Sequence, residues 1–155
     1  MILATTCYLE YENKVLMLCR YKKRKGDIHE GKYLAPGGKF ESGESPDECV
    51  IREYKEETGL TLINPILRSV LTFTSERPED VSYVFVFAAN RYFGELKECR
   101  EGKLEWITSS ELSNLNLWES DRIFLQGLRE SGHSLAKFVY EEHELQHYKV
   151  LFYNS

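Results

Sequence analysis

The chain has 155 residues, of which 42% are hydrophobic and 29% are charged, a composition typical of one folded domain and not of a disordered chain. Acidic residues number 25 against 20 lysines and arginines, so the formal net charge is −5. That balance argues against a stable complex with nucleic acid, because such complexes need a basic protein face. No apolar run approaches the roughly 20 residues of a membrane span, and the N-terminal residues lack the pattern of a secretory signal.

The cysteines lie far apart in the sequence and include no CxxC pair, which argues against a zinc site or a disulfide framework. They are Cys7, Cys19, Cys49 and Cys99. Reduced thiols are typical of a reducing compartment, so we predict a cytoplasmic location. The sequence shows no internal repeat and no linker, and we therefore expect residues 1–155 to form a single domain.

The first elements in chain order are a predicted hairpin and a basic segment. Strand-like residues run over Leu3–Tyr11 and Val15–Cys19, with Glu12-Asn13 as the turn. The segment from Arg20 to Lys25 is basic, and we interpret it as a solvated loop, with a grip on substrate phosphates as the alternative. Residues 33–38 then form a short apolar stretch that ends in a Pro-Gly-Gly turn signal.

The strongest predicted helix covers Ser45–Thr58. Ser45-Pro46-Asp47-Glu48 supplies an N-cap, a proline at the first helical position and a capping-box glutamate, and Gly59 is a suitable C-terminal stop. Helical periodicity places Val50 and Tyr54 on the face that packs against a sheet.

The second half of the chain predicts strands, a second helix and a final strand pair. Strand-like segments cover Ile66–Phe73, Val81–Ala89 and Leu104–Thr108, a helix runs from Ser120 to about Arg129, and the tail pair covers Ala136–Tyr140 and Gln146–Phe152. Strands on both sides of one strong helix, with a later helix, predict an α/β fold in which a mixed β-sheet lies between helices.

Three glutamates share one face of the first helix, and their charges destabilise that helix. Glu53 and Glu57 form a like-charge i,i+4 pair, and Glu56 and Glu57 lie in the last turn, where the helix dipole disfavours anions by about 0.3–1 kcal/mol each. A bound cation reverses these costs, and three carboxylates suit Mg²⁺ or Mn²⁺. The alternative is a solvated acidic face, which charge runs often form.

The spacing around these glutamates forms a recognisable motif. Gly38 is followed by five residues and Glu44, and seven residues later comes Arg52-Glu53-Tyr54-Lys55-Glu56-Glu57-Thr58-Gly59-Leu60. This sequence resembles the Nudix box, and its seven fixed positions are all present: Gly38, Glu44, Arg52, Glu53, Glu56, Glu57 and Gly59. One soft position differs, because Tyr54 stands where an aliphatic residue is commoner.

The resemblance implies a fold, a reaction and a cofactor. A Nudix protein is an α/β/α sandwich that hydrolyses a nucleoside diphosphate linked to a further group with the help of a divalent metal. Carried onto this chain, the resemblance assigns Mg²⁺, with Mn²⁺ as an alternative, to Glu53, Glu56 and Glu57, assisted by the backbone carbonyl of Gly37 or Gly38. Arg52 is assigned to orienting these carboxylates, and Glu44 to a supporting role.

A further acid outside the box is expected at the metal. Glu101 lies in a loop just before the strand that begins near Leu104, and its position resembles that of the late glutamate in MutT-type enzymes. We assign Glu101 as an additional metal ligand or general base, with Glu98 as the second choice. For both residues the alternative is an ordinary acid in a surface loop.

The resemblance extends to the MutT/MutX-type branch, which hydrolyses oxidised purine nucleoside triphosphates. The segments that carry it are Gly31 to Gly38, Glu101 to Trp106, Leu117 to Asp121 and Ala136 to Tyr140. By this resemblance Trp118 stacks on the purine and Asp121 hydrogen-bonds its edge, with core packing and a helix-start acid as the respective alternatives. Lys39 and Lys23 are also assigned to substrate binding.

Two positions depart from the animal-type members of that branch. Leu34 stands where those enzymes have an asparagine, and Ser120 stands where they have an aspartate. Two base-reading groups are therefore missing, which weakens the case for 8-oxo-dGTP. The four histidines show no zinc-enzyme spacing, and we expect surface or hydrogen-bonded roles for them.

The leading hypothesis is a cytoplasmic Mg²⁺-dependent enzyme that converts a nucleoside triphosphate to a nucleoside monophosphate and pyrophosphate. Hydrolysis of another nucleoside diphosphate derivative, such as ADP-ribose or a sugar nucleotide, fits the box equally well. A non-catalytic nucleotide-binding or protein-interaction domain is the third reading, and the intact carboxylate set argues against it. The partner is a nucleotide, with no nucleic acid and no membrane, and a homodimer is left open.

Overall fold

The computed structural model describes residues 1–21, 28–128 and 132–153. The strands are β1 (Ile2–Tyr11), β2 (Lys14–Arg20), β3 (Tyr33–Leu34), β4 (Gly37–Lys39), β5 (Leu60–Leu62), β6 (Ile66–Thr74), β7 (Val81–Ala89), β8 (Tyr92–Gly94), β9 (Gly102–Thr108), β10 (His133–Glu141) and β11 (Glu144–Tyr153). The helices are α1 (Pro46–Thr58) and α2 (Glu119–Leu128), and a 3₁₀ helix covers Ser109–Asn114.

β1 lies at the centre of a mixed sheet because different parts of it pair with different strands. Its residues 2–9 run parallel to β7, Ala4–Thr6 pair with β4, and Glu10–Tyr11 pair with β2. The main path across the sheet is β11-β10-β6-β7-β1-β2-β3, with β9 on the other edge of β2, and β10 runs parallel to β6. β5 and β8 form a small separate antiparallel pair.

Helices cover both faces of this sheet, as the alternating side chains of β1 require. Cys7 and Leu9 point toward α1 and join Val50 and Tyr54 in one buried cluster. Tyr8 points the other way and joins Phe124 of α2 in a second buried cluster. The predicted arrangement of a mixed sheet between helices is confirmed.

The termini of α1 are fixed by the residues that the sequence singles out. Ser45 is the N-cap, and its backbone N–H donates to the Glu48 carboxylate at 2.9 Å. At the other end, Gly59 adopts a left-handed conformation with φ of 86°, and its N–H donates to the Lys55 carbonyl at 2.8 Å. The observed helix agrees with the prediction to within one residue.

The other predicted elements are present, with differences at their ends. The β1–β2 turn has Glu12 and Asn13 at φ of 52° and 63°, and the tail strands are longer than predicted. The short strands β5 and β8 and the 3₁₀ helix were not predicted, because they lack enough residues for a periodic pattern. The apolar stretch 33–38 contains β3 and part of β4, which take their partners from β2 and β1.

The prediction of a solvated basic loop is wrong for Arg20. This residue ends β2 and keeps only 18% of its side chain exposed, because its strand is hydrogen-bonded to β9. The rest of the predicted basic segment, including Lys23, lies outside the described residues, as does the predicted helix end near Arg129. In the part of the chain that the structure describes, no helix is long and apolar enough to cross a membrane.

Candidate active site

Backbone of β4 lies directly against the acidic face of α1. A Cβ atom added to Gly38 would stand 2.1 Å from Glu53 Oε2, and one added to Gly37 would stand 2.0 Å from the Thr5 carbonyl oxygen. A side chain at Gly37 would collide with the β1 backbone, and one at Gly38 would displace the Glu53 carboxylate, so glycine lets β4 lie close to both. The Gly38 carbonyl oxygen accepts a hydrogen bond from Thr5 Oγ1 at 3.5 Å.

Arg52 organises the acidic residues around β4 and α1. Its Nε and Nη2 donate to the two carboxylate oxygens of Glu44 at 2.5 and 2.8 Å, and its Nη1 donates to Glu53 Oε1 at 2.8 Å and Glu56 Oε2 at 3.2 Å. The hydrogen bond from Arg52 holds the pKa of Glu44 at about 2, and Nη2 also donates to the Lys39 carbonyl. Arg52 therefore fixes the positions of Glu44, Glu53 and Glu56 in the absence of a metal.

Glu57 lies partly buried in the last turn of α1. Burial raises its pKa to about 7, and the nearby charge of Glu101 raises it further. Glu101 itself lies within 3.8 Å of Arg20 Nη1. The structure thus brings Glu101, predicted from its position before β9, to the same place as Glu57.

The acidic side chains line one surface cavity of about 370 Å³. Its acidic lining consists of Glu53, Glu56, Glu57, Glu98 and Glu101, with Lys97 and Arg100 at the same surface. Glu98, the second choice from the sequence, is thus also at the site. The loop that precedes β9 and the last turns of α1 build the cavity together.

A divalent cation fits the chemistry of this cavity. Its candidate ligands are carboxylate and backbone carbonyl oxygens, which Mg²⁺ and Mn²⁺ prefer, and the raised pKa of Glu57 marks a place where negative charge lacks compensation. Among the described residues, no three acidic, histidine or cysteine side chains already converge as a complete metal site. Arg52 holds one oxygen each of Glu53 and Glu56, and the second oxygen of each carboxylate can face a cation while Arg52 keeps the first.

Trp118 lies just before α2 and does not line the acidic cavity. Its indole Nε1 donates to His29 Nδ1 at 3.0 Å, and the Lys32 ammonium lies over the ring at 4.9 Å from its centroid. The Tyr140 ring meets the indole in an edge-to-face arrangement at 5.9 Å. Trp118 remains partly exposed, so it is not a core residue.

Asp121 stands in the first turn of α2, and its N–H donates to the Trp118 carbonyl at 3.0 Å. Burial raises the pKa of its carboxyl group to about 7, while the Lys32 ammonium acts in the opposite direction. Ser120 is engaged elsewhere, because its hydroxyl accepts from the Tyr140 hydroxyl at 2.9 Å. Asp121 therefore lies beside Trp118 with a carboxyl group whose pKa is raised by burial.

Arg20 connects the two ends of the site. Its backbone N–H donates to the Lys32 carbonyl at 3.0 Å, and its side chain approaches Glu101. The neighbouring Tyr21 N–H donates to the Glu101 carbonyl at 2.8 Å. The end of β2 therefore fixes the Lys32 loop beside Trp118 and the Glu101 loop beside Glu57.

A family assignment follows from comparison with known proteins. The sequence profile of the NUDIX domain matches residues 2–128, which is most of the chain. The chain belongs to the Nudix hydrolase family. It is a pyrophosphohydrolase of MutT-like type, and Nudix hydrolases act on nucleotides and generally use divalent cations.

Relatives support the Nudix assignment over nearly the whole chain. The uncharacterised Nudix hydrolase YvcI of Bacillus subtilis is 37% identical over 152 residues, covering 94% of this chain and 92% of that protein. A crystal structure of a MutT protein from Bacillus halodurans matches with a TM-score of 0.86 and 31% identity over 97% of both chains. An ADP-ribose pyrophosphatase of Methanocaldococcus jannaschii is 36% identical over 95 residues, or 61% of this chain and 54% of that protein.

Some residues of this Nudix site were missed by sequence reasoning, and two predicted ones are not placed in it. Lys39 is exposed at the end of β4 and reaches the network through its backbone carbonyl, while Lys23 lies outside the described residues. His29, Lys32 and Tyr140 were given no functional role from the sequence, and they approach Trp118 only through tertiary folding. Arg20 was predicted only as part of the basic segment and not as a neighbour of Glu101.

Proposed function

We propose that the protein hydrolyses nucleoside triphosphates to nucleoside monophosphates and pyrophosphate with Mg²⁺, and that oxidised purine nucleotides such as 8-oxo-dGTP are among its substrates. The observation that carries the proposal is that one strand end, at Arg20, contacts both the acidic region and the region around Trp118. The acidic cavity around Glu57 and Glu101 is connected through Arg20 to the loop of Lys32, which lies beside the Trp118 indole and the partly buried Asp121. Such a site has the parts to hold a polyphosphate at one end and a base at the other.

At the acidic end, Glu53, Glu56, Glu57 and Glu101 would hold Mg²⁺, together with the backbone carbonyl of Gly37 or Gly38. The ion supplies neutralisation of phosphate charge and a more acidic attacking water. Arg52 keeps Glu53 and Glu56 in position through its hydrogen bonds. Glu101 is our choice for the carboxylate that receives the proton of the attacking water, because it is half exposed beside the partly buried Glu57.

At the other end, the Trp118 ring would stack on the base and the Asp121 carboxyl would hydrogen-bond the base edge. A carboxyl group with a pKa of about 7 is partly protonated near neutral pH. It can therefore donate a hydrogen bond when protonated and accept one when ionised, which suits a base edge that carries both donors and acceptors. Leu34 and the engaged Ser120 contribute no further edge contact of this kind. The pocket is therefore expected to discriminate less strictly among purines than one with several reading groups.

A second candidate is hydrolysis of ADP-ribose or another nucleoside diphosphate derivative. The identity to an ADP-ribose pyrophosphatase over 95 residues favours it, and so does the absence of two base-reading groups at Leu34 and Ser120. The acidic cavity suits either reaction, since both break a diphosphate bond. The difference between the two candidates lies in what is attached to the diphosphate.

A hydrolysis panel with product identification tests both candidates. 8-oxo-dGTP, dGTP, ATP, ADP-ribose and a UDP-sugar are compared by kcat/KM with Mg²⁺ and with excess chelator. The proposal expects pyrophosphate and a monophosphate from the oxidised purine triphosphate. Release of inorganic phosphate alone, or full activity in chelator, contradicts it, and preferred cleavage of ADP-ribose supports the second candidate.

The proposals on cellular location and oligomeric state rest on the sequence alone. We propose a cytoplasmic protein that acts as a single domain, and we leave open whether it forms a homodimer. Fractionation of the source cells and sedimentation of the purified chain test these two points.

A further inference from the structure

The indole of Trp118 is surrounded by polar and aromatic side chains from several segments. Besides the hydrogen bond to His29 Nδ1, its environment contains the Lys32 ammonium, the Tyr140 ring and the His143 ring, whose centroid lies 6.4 Å away. The rings of His29 and Trp118 stand nearly perpendicular, at 82°, with centroids 5.6 Å apart. The imidazole thus meets the indole at the edge that carries its N–H group.

The backbone around His29 is fastened to the segment that carries Trp118. The His29 carbonyl accepts from the Lys32 N–H at 2.9 Å, which closes a tight turn. The Gly31 carbonyl accepts from Asn116 Nδ2 at 3.1 Å, and the Tyr33 N–H donates to the Asn116 carbonyl at 3.0 Å. Because both segments are tied together, the His29 ring is presented to the indole by a constrained backbone.

We infer that His29 is a positioning residue for Trp118, whose hydrogen bond fixes the indole in the orientation in which it receives the base. This inference rests on the proposed function, because it assumes that Trp118 is the stacking surface. His29 would thus raise the affinity for the substrate without contacting the substrate itself. When it accepts this hydrogen bond, the neutral imidazole carries its proton on Nε2, and Nδ1 is the acceptor of the indole N–H.

The physical reason is preorganisation. A partly exposed indole that samples several rotamers must be ordered when a base stacks on it, and that ordering weakens binding. A hydrogen bond at the ring edge restricts the rotamers before the ligand arrives. The effect belongs to binding, so it is expected in KM and not in kcat.

Two substitutions of His29 test the inference in kinetics. His29→Leu removes the acceptor, and a lost hydrogen bond of ordinary strength is expected to raise KM about 3- to 10-fold, with kcat changed less than about twofold. His29→Asn keeps an uncharged acceptor, and its KM is expected within about twofold of the wild type. An unchanged KM in His29→Leu overturns the inference.

A double-substitution cycle identifies Trp118 as the target. Trp118→Phe keeps an aromatic ring and removes the N–H donor, so adding His29→Leu to it is expected to change KM less than about twofold. If His29→Leu raises KM as much in this background as in the wild type, His29 acts by another route and the inference is wrong.

An indole NMR measurement reads the same contact without any substrate. The chain has two tryptophans, so it gives two indole N–H cross-peaks, and Trp118→Phe identifies the one from Trp118. His29→Leu is expected to shift this peak upfield and speed its exchange with water, and His29→Asn to restore both. A peak that does not move overturns the inference, whereas absent hydrolysis by the wild type contradicts only the proposed function.

Discussion

At the residue scale, Arg52 changes the electrostatic balance of the acidic helix face. Its guanidinium lies within 4 Å of four carboxylates: Glu41, Glu44, Glu53 and Glu56. The repulsion expected from the sequence between Glu53 and Glu57 is therefore partly compensated at Glu53. Burial and the charge of Glu101 disfavour the ionised form of Glu57, and the Gly37 backbone and Arg20 offset this effect only in part.

Replacement of Arg52 by lysine tests its positioning role. A lysine has no planar fork and cannot donate to Glu44, Glu53 and Glu56 together, so we expect at least about a tenfold loss of kcat/KM in Arg52→Lys. The Mg²⁺ concentration for half-maximal activity should rise as well, because the carboxylates are less ordered. Activity assayed over a Mg²⁺ titration measures both effects, and wild-type behaviour would contradict the role.

Substitution of Glu53 tests the proposed metal site directly. Glu53→Gln removes a charged oxygen ligand, and we expect kcat to fall by about 10³-fold or more while the fold is retained. Circular dichroism checks the fold, and Glu12→Gln in the exposed β1–β2 turn serves as a matched control that keeps wild-type activity. An active Glu53→Gln enzyme would remove Glu53 from the site.

The raised pKa of Glu57 predicts a pH-dependent stability in chelator. The ordinary value is 4.5 and the folded value is about 7, so the folded protein is destabilised as the pH rises through this interval. Glu57→Gln should therefore be more stable than the wild type above pH 7, by about 1–3 kcal/mol, and the difference should shrink toward pH 4.5. Urea unfolding at several pH values measures the difference, and a gap independent of pH would contradict the assignment.

At the element scale, the contact between β4 and α1 places the Gly38 backbone directly against the Glu53 carboxylate. Gly38→Ala places a methyl group on the Glu53 carboxylate, so this carboxylate must move, and we expect at least about a 10²-fold loss of kcat. Gly43→Ala is the matched control. Gly43 has φ of 82° and open space around it, so the substitution should cost about 1 kcal/mol of stability and leave kcat unchanged. Equal activities of the two variants would argue against the role of Gly38.

The helix α1 and its chemistry were predictable from the sequence, whereas the contacts of its side chains were not. Ser45 and Gly59 are local signals, since each acts within one turn of its own position. The approach of Glu101 to Glu57 was inferred from resemblance alone. The hydrogen bond between Trp118 and His29 spans 89 positions and depends on how two loops pack, which no local pattern encodes.

At the scale of the whole molecule, β10 and β11 complete the core on the α2 side. Both strands lie beyond residues 2–128, which the NUDIX profile matches, yet Phe138 and Ala136 are buried in the same cluster as Phe124. The sequence predicted this strand pair from its apolar pattern. It did not predict that β10 would run parallel to β6, because pairing partners depend on the path of the entire chain.

Truncation of Phe138 measures what this part of the sheet contributes. The side chain is fully buried and stacks on Phe73, so Phe138→Ala should lower the free energy of unfolding by about 3–5 kcal/mol. The neighbouring Lys137 is exposed, and Lys137→Ala should stay within about 0.5 kcal/mol of the wild type. Denaturant unfolding distinguishes them, and a small effect of Phe138→Ala would mean that β10 is not part of the cooperative core.

The position of Arg20 at the tip of β2 has a consequence for selectivity. This strand end holds the loop next to Trp118 through its backbone and approaches Glu101 through its side chain. Under the roles proposed for Trp118 and Glu101, a substitution of Arg20 should alter both substrate selectivity and turnover. Neither property could then be changed alone at this position.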